Sequence, residues 1–189
     1  MASLPALPTT VIGYHGTEAS KIPSITKHGF RPSERSDSYL GYGCYFFDDL
    51  DYTMYWCPNI RHLKNKRIAY LQALITYGKV FDLTPENLQY LVRWKTALEN
   101  RTDLQGFLGE NNAKKITPAI AINSFCKYVE EKTGKAPDTI RTSRMTVINR
   151  KWLWDGERKF WTGGTGIAET IICVRPHAIS THIKNVTQI

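Results

Sequence analysis

The chain contains no apolar run near the ~18 residues that a membrane span needs, so no membrane partner is expected. No two of its four cysteines, Cys44, Cys57, Cys126 and Cys173, stand in a C-x-x-C spacing, and no histidines cluster beside them. A metal site is therefore not expected. Acid is scarce beside base: 17 Asp plus Glu stand against 25 Lys plus Arg, for a net charge of +8. That balance argues against basic partners and favours anionic ones, among them nucleic acid, a dinucleotide or an acidic protein. A solvated basic surface with no polymeric partner is the competing reading. The first residues, Met-Ala-Ser-Leu-Pro-Ala-Leu-Pro, have no basic stretch and no long apolar core. No secretory signal is expected, and a cytoplasmic protein with reduced, buried thiols is the expectation. Internal repeats and low-complexity tracts are also missing.

What is present is a globular composition: 42% hydrophobic, 12% aromatic and 22% charged over 189 residues. A single domain spanning 1–189 is expected, with a mainly helical insertion at about 84–137. Thr10–Tyr14 is β-branched and apolar and predicts a strand. Glu18–Lys27 predicts a helix buried through Ile22 and Ile25, with Thr17 as cap and Gly29 as the residue past its end. Cys44–Phe47 predicts a second strand, followed by a helix capped by Asp48 or Asp49. Ile68–Leu83 reads as a long strand broken at Gly78. Helices follow from Pro85, with Leu88, Leu91, Val92 and Leu98 inward, and from Pro118 to Thr133, with Ile120, Phe125 and Val129 inward. The polar segment 99–117 reads as irregular. Ile140–Ile148, Thr170–Val174 and Ala178–Ile183 read as strands. Short strands at both ends with helices between them predict an α+β domain.

Polar groups sit at the ends of the apolar runs, with glycine beside them. His15 is followed by Gly16-Thr17. Tyr45 lies in Gly41-Tyr42-Gly43-Cys44-Tyr45-Phe46-Phe47-Asp48. Glu169 follows a glycine-rich turn and precedes Thr170-Ile171-Ile172. An imidazole can hold a sugar hydroxyl, a tyrosine offers a ring face and a hydroxyl, and a carboxylate can stabilise a developing cation. Taken singly, each residue is more readily a core histidine, a packing tyrosine or a surface acid.

Together, in this order and spacing, they resemble the poly(ADP-ribose) polymerase-like ADP-ribosyltransferases, with their His-Gly-Ser/Thr, Gly-x-Gly-Ile-Tyr-Phe-x-Asp and Glu-before-strand motifs. Gly29-Phe30-Arg31 stands where that family often has Gly-Leu-Arg. Thr53 and Trp56, followed by Cys57, align without gaps with its Ser and second Tyr. The resemblance covers residues 11–83 and 167–183. Trp56 in place of Tyr loses a hydroxyl, Cys44 in place of Ile changes packing, and Ile167 stands where Arg-specific relatives carry Gln or Glu.

The resemblance implies an ADP-ribosyltransferase-like split β-sheet and NAD+ as co-substrate, with no metal. It implies nicotinamide paired to the Gly16 backbone and the Thr53 hydroxyl and sandwiched by Tyr45 and Trp56. His15, with Thr17, would hold the adenosine ribose, and Arg31 the pyrophosphate or adenine side. Glu169 would bond the nicotinamide ribose and stabilise an oxocarbenium-like transition state. His15, Tyr45 and Glu169 are then the catalytic set. Mono-transfer by a small toxin or defence effector is the implied activity, with a neutralising antitoxin or chaperone protein as a possible partner. The acceptor is read from the basic and aromatic stretches: Arg61, Lys64, Lys66 and Arg67, then Lys151, Trp152, Trp154, Arg158 and Lys159. Cations with interleaved indoles suit RNA or DNA. A protein acceptor, an NAD+ glycohydrolase using water, and an inactive binding module stay open beside this reading.

Overall fold

A computed structural model describes residues 9–35, 38–60, 63–108, 116–143 and 170–189. The chain is mixed α+β and carries a seven-stranded mixed sheet. Strand β1, Thr10–Glu18, is longer than expected and takes in the whole His15-Gly16-Thr17 motif. It pairs along its full length with β3, Ile68–Thr76, whose alternate residues Ala69, Leu71, Ala73 and Ile75 are buried. Because Thr17 belongs to the strand, it does not cap a helix. A 3-10 turn, Ala19–Lys21, leads into α1, Ile22–His28, whose N-terminal residue Lys21 makes no side-chain cap. Gly29 stands past the end of α1, as expected, at φ +77°, a backbone value that favours glycine.

Strand β2, Cys44–Phe47, and helix α2, Leu50–Trp56, fall where the sequence places them. Asp49 is the cap, accepting from the Tyr52 N–H at 2.6 Å. Gly78, at φ +61°, breaks the long run into β3 and β4, Val80–Asp82. A side chain there would collide with His182 and Asp138, so the bend requires glycine. The two arms join different halves of the sheet. β3 pairs with β1 and with β7, Ile183–Gln188, while β4 runs parallel to β5, Thr139–Ser143.

The strand order is β4-β5-β6-β2-β1-β3-β7, where β6 is Thr170–Val174. β2 and β6 share four registered pairs, from Cys44↔Val174 to Phe47↔Ile171. β1 and β2 share a single one, Tyr14↔Phe47. The sheet is therefore two halves joined at a narrow seam and by the strand bent at Gly78.

Each face of the sheet has its own core. Phe47, Ile171 and Cys173 pack with Tyr52 of α2 and with Leu88, Leu91 and Ile122 from the two helices of the middle segment. Phe46, Ile172 and Val174 pack with Phe30, Ala178 and Ile179 on the other side. Covered on both faces, β6 reads as a continuous apolar run.

α3, Pro85–Asn100, and α4, Pro118–Thr133, start as expected, capped by Thr84 and Thr117. Leu88, Leu91 and Leu98 are buried, whereas Val92 is 37% exposed and Trp94 takes the inward place instead. An indole can be buried when its N–H is satisfied, and Trp94 donates to Ser124 Oγ at 2.9 Å. Ile120 is buried, and Phe125 and Val129 are half-buried. The segment from 99 is more regular than expected, since α3 runs to Asn100 and a 3-10 segment spans Thr102–Leu108. The strand expected at Ala178–Ile183 is a helical turn, Ile179–His182, and β7 begins only at Ile183. Ile179, Thr181 and Ile183 alternate as in a strand, but Pro176 opens a helical turn and buries Ala178 and Ile179 together. The expected strand residues beyond Ser143 lie outside the described residues.

Candidate functional site

The two opening motifs meet at the seam. His15 Nδ1 lies 2.7 Å from the carbonyl oxygen of Tyr45. A carbonyl only accepts, so Nδ1 carries the proton, and in the neutral ring Nε2 is the lone-pair nitrogen. The ring is seated against Phe30, edge-on at 5.1 Å, and Phe46 at 5.6 Å. Phe30 is buried beneath it, and the next residue, Arg31, is exposed while its carbonyl accepts from the Cys44 thiol. Thr17 is buried in β1, two residues past the imidazole.

Gly16 is the tightest point. A Cβ there would overlap Cys57 Sγ and lie 2.8 Å from its Cβ. Burial pushes the Cys57 thiol up to about 11, and the nearby Gly16 N–H offsets part of that rise. The thiol is neutral at pH 7 and acts as packing. All four cysteines are buried free thiols, as expected.

The Tyr45 hydroxyl accepts from the Leu40 N–H at 2.8 Å and donates to the Gly41 carbonyl at 2.7 Å. It holds the turn that precedes β2. Burial foremost raises its ionisation well above the ordinary tyrosine value, so the phenol stays neutral and is no base. The same turn is held from outside. Asn123 Oδ1, on α4, accepts from the Tyr42 N–H at 3.0 Å and from Arg175 Nη1 at 2.5 Å. Arg175 Nη1 also donates to the Tyr42 carbonyl at 2.9 Å. Arg175 Nε and Asn123 Nδ2 are buried with no partner among the described residues. Neither residue was singled out in the sequence. The available signals were a lone Arg at the end of the apolar β6 run and an Asn within the apolar half of α4.

Two expected contacts of α2 differ in accessibility. Thr53 is fully buried, and its hydroxyl donates to the Asp49 carbonyl at 2.6 Å. In this conformation it is not presented to a ligand. Trp56 is 39% exposed and stacks on Tyr52, with centroids 6.0 Å apart and planes 23° apart.

Glu169 lies outside the described residues. Its neighbour Thr170 is fixed beside β2: the Thr170 N–H donates to Asp48 Oδ1 at 2.6 Å, and the Asp48 N–H donates to the Thr170 carbonyl at 3.2 Å. The described residues of the three motifs therefore reach three adjacent strands, β1, β2 and β6, with Thr170–Ile172 on the last.

Of the basic residues, Lys64, Lys66 and Arg67 are exposed beside the start of β3. Lys66 pairs with Glu18 at 2.8 Å, which leaves it less available to a phosphate. Arg61, Lys151, Trp152, Trp154, Arg158 and Lys159 lie outside the described residues. No group of three or more metal-ligating side chains occurs among the described residues. No helix among the described residues is long and apolar enough to cross a membrane. The chain matches no protein-family model and no curated protein.

Proposed function

We propose that the chain is an NAD+-dependent mono-ADP-ribosyltransferase of the His-Tyr-Glu type, with an ADP-ribosyltransferase-like split sheet and a macromolecular acceptor, in the first instance RNA or DNA. The observation that carries the reading is the seam. His15 and Tyr45 are coupled there at 2.7 Å, and the residue following Glu169 is locked to Asp48 on the neighbouring strand.

The residues fit NAD+ in part. His15 and Gly16 stand on β1 next to its one registered pair with β2, Trp56 offers a ring face, and Arg31 is exposed. Thr53 fits only if α2 shifts to release its hydroxyl. Bound NAD+ supplies an ADP-ribosyl group whose glycosidic bond breaks with its electron pair leaving on nicotinamide, while the acceptor adds at that carbon and gives up a proton. His15 Nε2 accepts from a ribose hydroxyl, in the tautomer imposed by Tyr45. Gly16 presents backbone to the carboxamide. The Tyr45 hydroxyl keeps the turn in place, and its ring and that of Trp56 exclude water from the leaving group. Glu169 stabilises the positive charge that develops on the sugar. A carboxylate placed this way contributes about 2.7–4 kcal/mol, a hundredfold or more in rate. A toxin or defence role, opposed by a neutralising protein, rests on analogy alone.

The complete burial of Thr53 favours one other reading, a fold that binds NAD+ without turnover. Calorimetric binding with no nicotinamide release would establish it, and release without label transfer would make the chain a glycohydrolase. The acceptor is tested with labelled NAD+ in cell lysate, followed by nuclease or protease in parallel. Label removed by nuclease is expected. Label removed only by protease would replace nucleic acid with protein.

A further inference from the structure

The helical insertion carries a pocket that none of the motifs describes. It lies between α3, α4 and the 3-10 segment Thr102–Leu108 and has a volume of about 490 Å³. That is within the roughly 300–1,000 Å³ range of small-molecule sites. Its rings are Trp94, Phe107, Phe125 and Tyr128, with Trp94 and Tyr128 centroids 4.7 Å apart. The exposed Tyr90, one turn before Trp94 on α3, adds a free ring face at the mouth.

Cations surround these rings. Arg93 and Lys132 line the pocket and are exposed, and Lys132 Nζ stands 5.8 Å from the Tyr128 centroid. Outside the lining, Lys127 Nζ stands 5.8 Å from the Phe107 centroid and donates to the Gly106 carbonyl at 3.3 Å. Among the described residues the one acid in the lining, Asp103, is paired with Arg101 at 2.7 Å, which leaves Arg93 and Lys132 as the remaining lining charges. Among the described residues the pocket therefore joins an aromatic floor to a basic rim. Flat π-faces take bases of any sequence, and cations beside them take phosphates.

The pocket is also mechanically joined to the candidate site. Phe125 contacts Phe81 of β4 at 5.0 Å, and Asn123, two residues earlier on α4, holds the turn before Tyr45. Asn123 and Tyr128 are separated by about 7.5 Å along the helix axis, from the rise per residue.

The geometry points to this pocket as the nucleobase-and-phosphate subsite for a single-stranded nucleic acid. The inference rests on the nucleic-acid reading above and deepens it, placing the acceptor on the insertion rather than on the basic stretch at 61–67. Sequence preference at this subsite is weak, because nothing in the lining reads a base edge in a fixed pattern.

The test is anisotropy of labelled 12-nucleotide single-stranded RNA and DNA, with a poly-glutamate peptide as a second probe. The variants are Tyr90→Ala/Lys132→Ala, both at exposed positions, and Lys27→Ala as a charge-matched control on α1. Thermal melts check that each is folded. Loss of one stacking face and one cation is expected to raise the oligonucleotide Kd at least about tenfold. Lys132→Ala alone is expected to lower the salt slope of log K by about one. Lys27→Ala should bind within about twofold of wild type. Equal Kd values for the double variant and wild type would overturn the inference, as would tight binding of poly-glutamate with none of either oligonucleotide. Nicotinamide release, read on the same samples, separates the two readings. No release from any sample, with the anisotropy difference intact, removes the enzyme and leaves the pocket. Release without an anisotropy difference removes the pocket and leaves the enzyme.

Discussion

The imidazole of His15 donates from Nδ1 to the main-chain carbonyl of Tyr45 at 2.7 Å, beside the one registered pair that joins β1 to β2. A side chain here takes over where the backbone ladder stops. It ties the two halves of the sheet and fixes its own tautomer in the same contact. His15→Ala removes this bond and the contacts with Phe30 and Phe46, at a cost of about 1–3 kcal/mol. Urea denaturation checks the stability, and nitrogen-15 shifts of the wild-type ring should report a protonated Nδ1 near neutral pH.

Gly16→Ala drives a methyl group into Cys57. Overpacking of this kind costs about 1–3 kcal/mol. Cys57→Ala removes the closer of the two opposing atoms, so the double variant should be more stable than the sum of the single changes indicates. A double-mutant cycle from denaturant midpoints measures the coupling. Strict additivity would mean that the two residues do not touch in solution.

The turn before Tyr45 depends on α4. Asn123→Ala leaves the Tyr42 N–H and one guanidinium N–H without their shared acceptor, a loss of about 1–3 kcal/mol. Because this turn also holds the Tyr45 hydroxyl, KM for NAD+ should rise more than kcat falls. Steady-state nicotinamide release, with the two constants resolved, tests this.

Much of this arrangement was legible in the residues. The boundaries of β2 and the caps of α2, α3 and α4 follow from Asp49, Thr84, Thr117 and the prolines after the last two, because those signals are local. Gly78 marked the break in the long strand, but not that its two arms serve different halves of the sheet, since pairing across the sheet is non-local. The Asn123–Arg175 clamp was invisible for the same reason: its partners are 52 residues apart. Thr53 shows the limit of alignment by motif. Its place in the helix was right, and only packing reveals that its hydroxyl turns inward.

Asp138 ties the bend at Gly78 to β5, accepting from the Lys79 N–H at 2.7 Å and pairing with Lys135 at 3.0 Å. Burial alone would raise its carboxyl, but the Lys79 N–H and the Lys135 charge outweigh it and hold the group below the usual carboxylate range. A depressed folded-state value gives stability that is complete above the unfolded carboxylate pKa of about 3.9 and is lost as pH falls through the lower folded value. Asp138→Asn should flatten the acid limb of a stability–pH curve between about pH 5 and 2. Urea midpoints across that range test it, and an unchanged limb would assign the acid dependence to other groups.

The most direct measurement is nicotinamide release from NAD+ by the purified wild-type chain beside Glu169→Ala, with lysate nucleic acid present as acceptor. The account predicts release by the wild type and a fall of about a hundredfold or more in the variant, with the melting temperature unchanged. Equal rates in the two proteins, or no release by a folded wild type that binds NAD+, would contradict it.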